Sequence, residues 1–408
     1  MELKKTILPL LLVLLALSGC IRKNNPTGNN WSDVRPMTTV DSLQVFGGYS
    51  FAGSAKIKGT ESSLLCGNFE GIESVTFMRF TALPEVGKFR IPDYQDSTFL
   101  SLTLTKRSPA RRNPLELKIY KLNQSWAADS TGLIDDANLT LITPIAFTVP
   151  DTISTLGTQV KIPIPAAALE NWRSEADTLG LTLAIKAEAG SWVEMMSMET
   201  GRGPQLRFRY RITDPEPTEG SDDSIYEQRP TRDSYRIDEQ TAPLLADRWV
   251  LNNINPSRFF VDFNIRNDWF KDMQGNVLDE KQRKRVTINQ AKLVFYVKEN
   301  PYYGSIASVK LRADRMNDSL NVAEPVVIDD SRLTSGFVSD QFVRGDSIEV
   351  DVTAIIQAYS SGKKLPYGIV VRSMQELQNY GRLELWHFSD APADKRPKIK
   401  ITYTPPFL

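Results

Sequence analysis

Histidine is almost missing from this chain: His387 is the only one in 408 residues. That excludes zinc sites built from several imidazoles. A Ser-His-Asp triad would need a nucleophile elbow such as Gly-x-Ser-x-Gly, and none occurs. Cysteine is nearly as scarce. Cys20 and Cys66 are too few for a disulfide framework or a thiolate metal site. Net charge is lacking as well, since Lys plus Arg and Asp plus Glu number 49 each. No global field draws such a chain onto nucleic acid, which is excluded as a partner class. No Gly-rich phosphate loop precedes a helix, and Gly201-Arg202-Gly203-Pro204 reads as a turn before a strand.

Long apolar runs are confined to the start. Ile7 to Leu17 is apolar apart from Pro9, but a membrane-spanning helix needs roughly 20 residues. With Lys4 and Lys5 before it, the run reads as the hydrophobic region of a secretory signal. Leu17-Ser18-Gly19-Cys20 follows and resembles the lipobox of bacterial lipoproteins. That resemblance implies cleavage after residue 19 and acylation of Cys20, with two or three acyl chains as a stable anchor to the membrane. Ile21, where an aspartate would favour inner-membrane retention, points to the outer membrane. The expected location is the cell envelope, facing periplasm or exterior. Cys66, left without a partner, reads as a small buried hydrophobe.

The expected fold class is all-β: two tandem β-sandwich (jelly-roll) domains after the signal peptide and a flexible tether. Residues 1–19 form the signal and 20–42 the tether, rich in Asn, Thr, Pro and Gly. The first sandwich is expected at 43–212, a linker at 213–242 around Asp214-Pro215-Glu216-Pro217, and the second sandwich at 243–408. The division rests on a repeat. Val75–Phe80 is echoed by Phe259–Phe263, Phe99–Leu104 by Ala291–Tyr296, Val160–Trp172 by Ile348–Tyr359, and Gly180–Ala187 by Gly368–Ser373. Gly203–Tyr210 pairs with Arg396–Tyr403. Within each copy apolar and polar residues alternate, as in Ile348, Val350 and Val352, marking strands with one buried face. The one helical piece, Thr353–Tyr359, is short, so many short strands must close on one another.

The second copy, from Trp249 onward, resembles the DNRLRE-type domains of secreted bacterial and archaeal proteins, jelly rolls related to carbohydrate-binding modules. Four pieces carry the likeness: Ala291–Tyr296, Val350-Asp351-Val352-Thr353, Leu385-Trp386-His387-Phe388-Ser389-Asp390, and Arg396–Tyr403. The hexapeptide that names the family is absent from both copies. The resemblance implies an accessory or adhesive sandwich with no catalytic residues to carry over, and many such jelly rolls hold a structural calcium ion. Asp135-Asp136, Asp222-Asp223 and Asp329-Asp330 are the loop pairs that offer calcium its oxygens; no other cofactor is expected.

For ligand binding the candidates are aromatic or basic. Sugar rings stack on exposed aromatics, and Tyr302, Tyr303 and Trp386 are the candidates in the second copy. Arg107, Arg111 and Arg112, in the corresponding loop of the first, would fork onto carboxylates or sulfates. Arg207, Arg209 and Arg211 on the closing strand read as edge protection, and His387 as an exposed strand histidine. At least half of the tryptophans are expected in the core. The first expectation is a non-catalytic lipoprotein that binds a polysaccharide or a cell-surface protein. The second is a structural component of the envelope. A hydrolase or lyase ranks third, because paired carboxylates leave no motif.

Overall fold

The computed structural model of the protein describes residues 38–406, apart from 45–46, 54, 70–71, 93–97, 109–114, 144–145, 173–179, 189, 214–222, 239–247, 263–264, 266, 300–308, 320–326, 337 and 342–345. The chain is all-β, two antiparallel sandwiches in tandem. Strand Lys398–Thr404 shows why: Ile399, Ile401 and Tyr403 are buried, and the residues between them are only half-covered. The period of two puts every second side chain into one core.

Each sandwich turns its corner on one long strand. In the second it is Thr287–Glu299. Thr287 to Val294 pairs with Lys398–Thr404 in one layer, and Val297 and Glu299, with an irregularity between them, pair with Leu385 and Glu384 in the other. In the first it is Phe99–Arg107, whose first half pairs with Thr158–Pro163 and Gln205–Ile212 and whose end pairs with Trp192–Met196. The repeat seen in the sequence is therefore a repeat of strand order. Helix Thr353–Ser360 buries Ile355, Ile356 and Tyr359, and its Gln357 side chain bonds the Ile288 N–H (2.7 Å) and the Val286 carbonyl (3.1 Å).

The domain boundaries differ from those expected. Residues 213–242 are not simply a linker: Ser224–Gln228 pairs with the closing strand Gln205–Ile212, and Arg232–Ile237 pairs with Ile72–Phe80 of the first sandwich. Thr38–Gln44, expected as tether up to residue 42, and Gly47–Ala52, expected in the first sandwich, belong to the second. The former pairs with the closing strand Lys398–Thr404 and the latter with Ser257–Asp262. The two strand pairs occupy equivalent places. The N-terminal pair thus completes the C-terminal sandwich, and the chain closes on itself.

This docking explains two local features. A Cβ on Gly48 (φ 151°) would fall 2.2 Å from the Phe260 carbonyl oxygen, so only glycine lets the strands approach. His387 is buried rather than exposed: its Nε2–H donates to the Gly48 carbonyl (3.1 Å), and its Nδ1 accepts from the Ser389 hydroxyl (2.7 Å).

The sandwiches also share a packed boundary. Leu377 and Tyr380, from the second, sit in the hydrophobic core of the first. Tyr380 stacks on Trp192 with ring centroids 4.7 Å apart. Its hydroxyl bonds the Ser74 hydroxyl, its N–H donates to Glu194 (3.0 Å), and the Tyr235 hydroxyl donates to the Leu377 carbonyl. Leu377 adopts φ 60°, a left-handed conformation costly for a bulky residue. The surrounding bonds hold it there.

Candidate binding cleft between the sandwiches

Beside this boundary opens a cleft of about 710 Å³. Its floor is the outer face of the second sandwich, where three neighbouring strands present Arg258, Arg312 and Arg372. Its wall is the segment from the N-terminal strand pair into the first sandwich, with Lys56, Lys58, Thr60 and Glu61. Met374, Glu376, Leu377 and Gln378 form the rim.

Arg312 and Arg372 stand directly opposite each other across two strands, an arrangement that like charges disfavour. Asp314, fully buried beneath them, relieves it: its carboxylate lies 2.7 Å from Arg312 Nε and 2.8 Å from Arg372 Nε. Burial pushes the Asp314 carboxyl up, while the Gly336 N–H and Arg312 pull it back. Arg258 is 1% exposed and grips Glu376 with two bonds of 2.7 and 2.8 Å, and Asp330 with a third. Burial would lower its affinity for the proton, but these two carboxylates more than offset it and keep the guanidinium charged. Five cations (Arg258, Arg312, Arg372, Lys56, Lys58) thus face four carboxylates (Asp314, Asp330, Glu376, Glu61). Lys56 and Lys58 are exposed, and Arg312 and Arg372 keep 15% of their side-chain surface in solvent. The trough offers charged N–H donors to a hydrophilic ligand. Among the described residues its lining contains no aromatic ring on which a sugar could stack.

Of the residues expected from sequence to bind ligand, the two that are described, Arg107 and Trp386, do not line this cleft. Arg107 is a brace: its side chain is 6% exposed and bonds the Val149 and Pro150 carbonyls (3.2 and 2.7 Å) and Asp151 (3.0 Å). Trp386 is half-buried, with the Lys298 ammonium 5.0 Å from its ring centroid, so one stacking face is already covered. Arg111, Arg112, Tyr302, Tyr303 and Cys20 lie outside the described residues. Trp126, Trp192, Trp249 and Trp269 are buried, and Trp172 packs partly buried against the first core. Arg207 and Arg211 pair with Glu227 and Asp223 of the adjoining strand pair.

Of the loop carboxylates expected to take calcium, Asp222 lies outside the described residues, Asp223 meets Arg211, and the others are held by protein groups. Asp136 is held by Lys186 and Arg236 at 2.7 Å each, Asp135 and Asp329 accept from backbone N–H groups two residues on, and Asp330 meets Arg258. Among the described residues no cluster of three His, Cys, Asp or Glu side chains suits a metal ion. Cys66 is buried, and burial pushes its thiol far above the usual range. The cleft is not legible in the sequence because its described lining residues come from five separate segments. A local signal is the charged Arg258 directly before the apolar run Phe259-Phe260-Val261.

No family model matches the chain, and neither a curated protein nor a solved structure is similar to it.

Proposed function

We propose that this protein is a non-catalytic, lipid-anchored protein of the cell envelope that holds an acidic glycan between its two sandwiches. The arginine-floored cleft supports this reading, with Lys56 and Lys58 as exposed cations on its wall. Guanidinium groups match carboxylate and sulfate oxygens in pairs. Among the described residues the lining has no stacking platform, which favours an acidic polysaccharide over a neutral one. Carbohydrate-binding jelly rolls, which the second copy resembles, supply the class of ligand, and the Leu17–Cys20 motif supplies the anchor.

The test is retention of the chain from Ile21 onward on immobilised acidic and neutral polysaccharides, at low and high salt. Retention on the acidic matrix, lost at high salt and weakened roughly tenfold by Lys56→Ala with Lys58→Ala, supports the reading, tenfold being about 1.4 kcal/mol. Folded protein retained on neither matrix overturns it. A structural role in the envelope then takes its place, a reading favoured by the N-terminal strands that tie the chain's two ends into one sheet.

A further inference from the structure

The place where the chain comes in from its anchor has a character of its own. Thr38, the first described residue, pairs with Tyr403, and Tyr403 pairs on its other side with Ile288. The Tyr403 hydroxyl accepts from the Lys271 N–H at 2.6 Å. Lys271 begins a hairpin that returns at Val277 and exposes two apolar side chains, Met273 in its turn (60%) and Val277 at its return (52%). After the short helix Glu280–Arg283, Lys284 lies against Gly362, so the loop after helix Thr353–Ser360 reaches the same end. That loop exposes Lys363, Lys364 and Leu365 (60%). Glu280 answers Lys284 at 2.7 Å, but Lys281, Arg285, Lys363 and Lys364 are exposed beside them.

We propose that this end of the second sandwich is a membrane-contacting surface, seated on the anionic bilayer that carries the anchor. Met273, Val277 and Leu365 would enter the headgroup region, with the surrounding lysines and Arg285 against lipid phosphates. The inference rests on the lipid-anchored reading above. Residues 20–37 span at most roughly 60 Å even fully extended, and the described chain enters the fold at this end, at Thr38. Apolar tips rimmed by cations are the composition that interfacial binding requires.

Co-sedimentation of the unlipidated chain from Ile21 onward, which keeps every described residue, tests the surface. The probes are phosphatidylglycerol-containing vesicles and pure phosphatidylcholine vesicles. Binding to the anionic vesicles is expected. Lys363→Glu with Lys364→Glu should weaken it at least about tenfold, and Met273→Asp with Val277→Asp should weaken it further, with the thermal transition kept. Absence of binding, or binding that all four substitutions leave unchanged, overturns the surface. Fatty-acid labelling at Cys20 separates the two ideas. Labelled protein whose unlipidated form ignores vesicles keeps the anchor and overturns the surface; vesicle binding without labelling supports the surface and overturns the anchor.

Discussion

Single residues carry the two junctions that hold this molecule together. Gly48→Ala places a Cβ against the Phe260 carbonyl and close to Trp249, so the N-terminal strand must lift from its partner. The expected result is a lower melting temperature and proteolysis near residue 48. Tyr380→Ala opens the other junction: it removes the stack on Trp192 and the hydroxyl that partners Ser74, while the backbone N–H to Glu194 stays. A cost of about 3–5 kcal/mol is expected for a buried aromatic, measurable by urea unfolding. Asp233 gives the molecule a pH dependence of definite sign. It is 2% exposed; burial, then the charges of Glu199 and Glu61, push its carboxyl up to about 7, against the pull of the Met198 N–H. A raised carboxyl binds its proton more tightly in the folded state. Stability therefore falls as pH rises from about 4 through about 7, by an amount on the order of 2–4 kcal/mol. Asp233→Asn keeps an acceptor for Met198 and should flatten that part of the stability profile. An unchanged slope would remove Asp233 as its source.

Strands differed in how well the sequence announced them. Lys398–Thr404 and Ser347–Asp351 could be read because hydropathy alternates and one face is buried. The corresponding segments of the first sandwich could be read from the repeat. Ser224–Gln228 and Arg232–Ile237 could not, because their buried residues include Asp233, Ser234 and Arg236. Arg236 is made tolerable inside by Asp136 and Asp238, at 2.7 and 3.0 Å, partners that no local pattern reveals. The N-terminal strand pair was hidden for a different reason: its partners lie some 200 to 360 residues away in the sequence. The cleft was hidden for the same reason, and Arg107 misled because nothing nearby in sequence shows the carbonyls it binds. Deleting residues 38–52 tests what that pair contributes. Burial of Phe51 and packing of Tyr49 contribute roughly 3–5 kcal/mol, which at 2–4 °C per kcal/mol lowers the melting temperature by on the order of 10 °C. Hydrogen exchange should show Phe259 to Val261 losing protection. Protection unchanged there would mean that the pair only decorates the sheet.

At the scale of the whole molecule, a tandem repeat with a polar stretch near residue 215 suggests two independent units. The structure joins them twice, through the N-terminal strands and through Tyr380 in the first core. The cleft depends on both junctions, because its wall continues from the N-terminal strands and its rim from the segment that leads to Tyr380. Ligand bound there should stabilise the two sandwiches together, by mass action on one folded state. Scanning calorimetry of the intact chain from Ile21 onward tests this union most directly. The account predicts one transition whose calorimetric and van't Hoff enthalpies agree. Two separable transitions, each unmoved by Tyr380→Ala and by loss of residues 38–52, would contradict it.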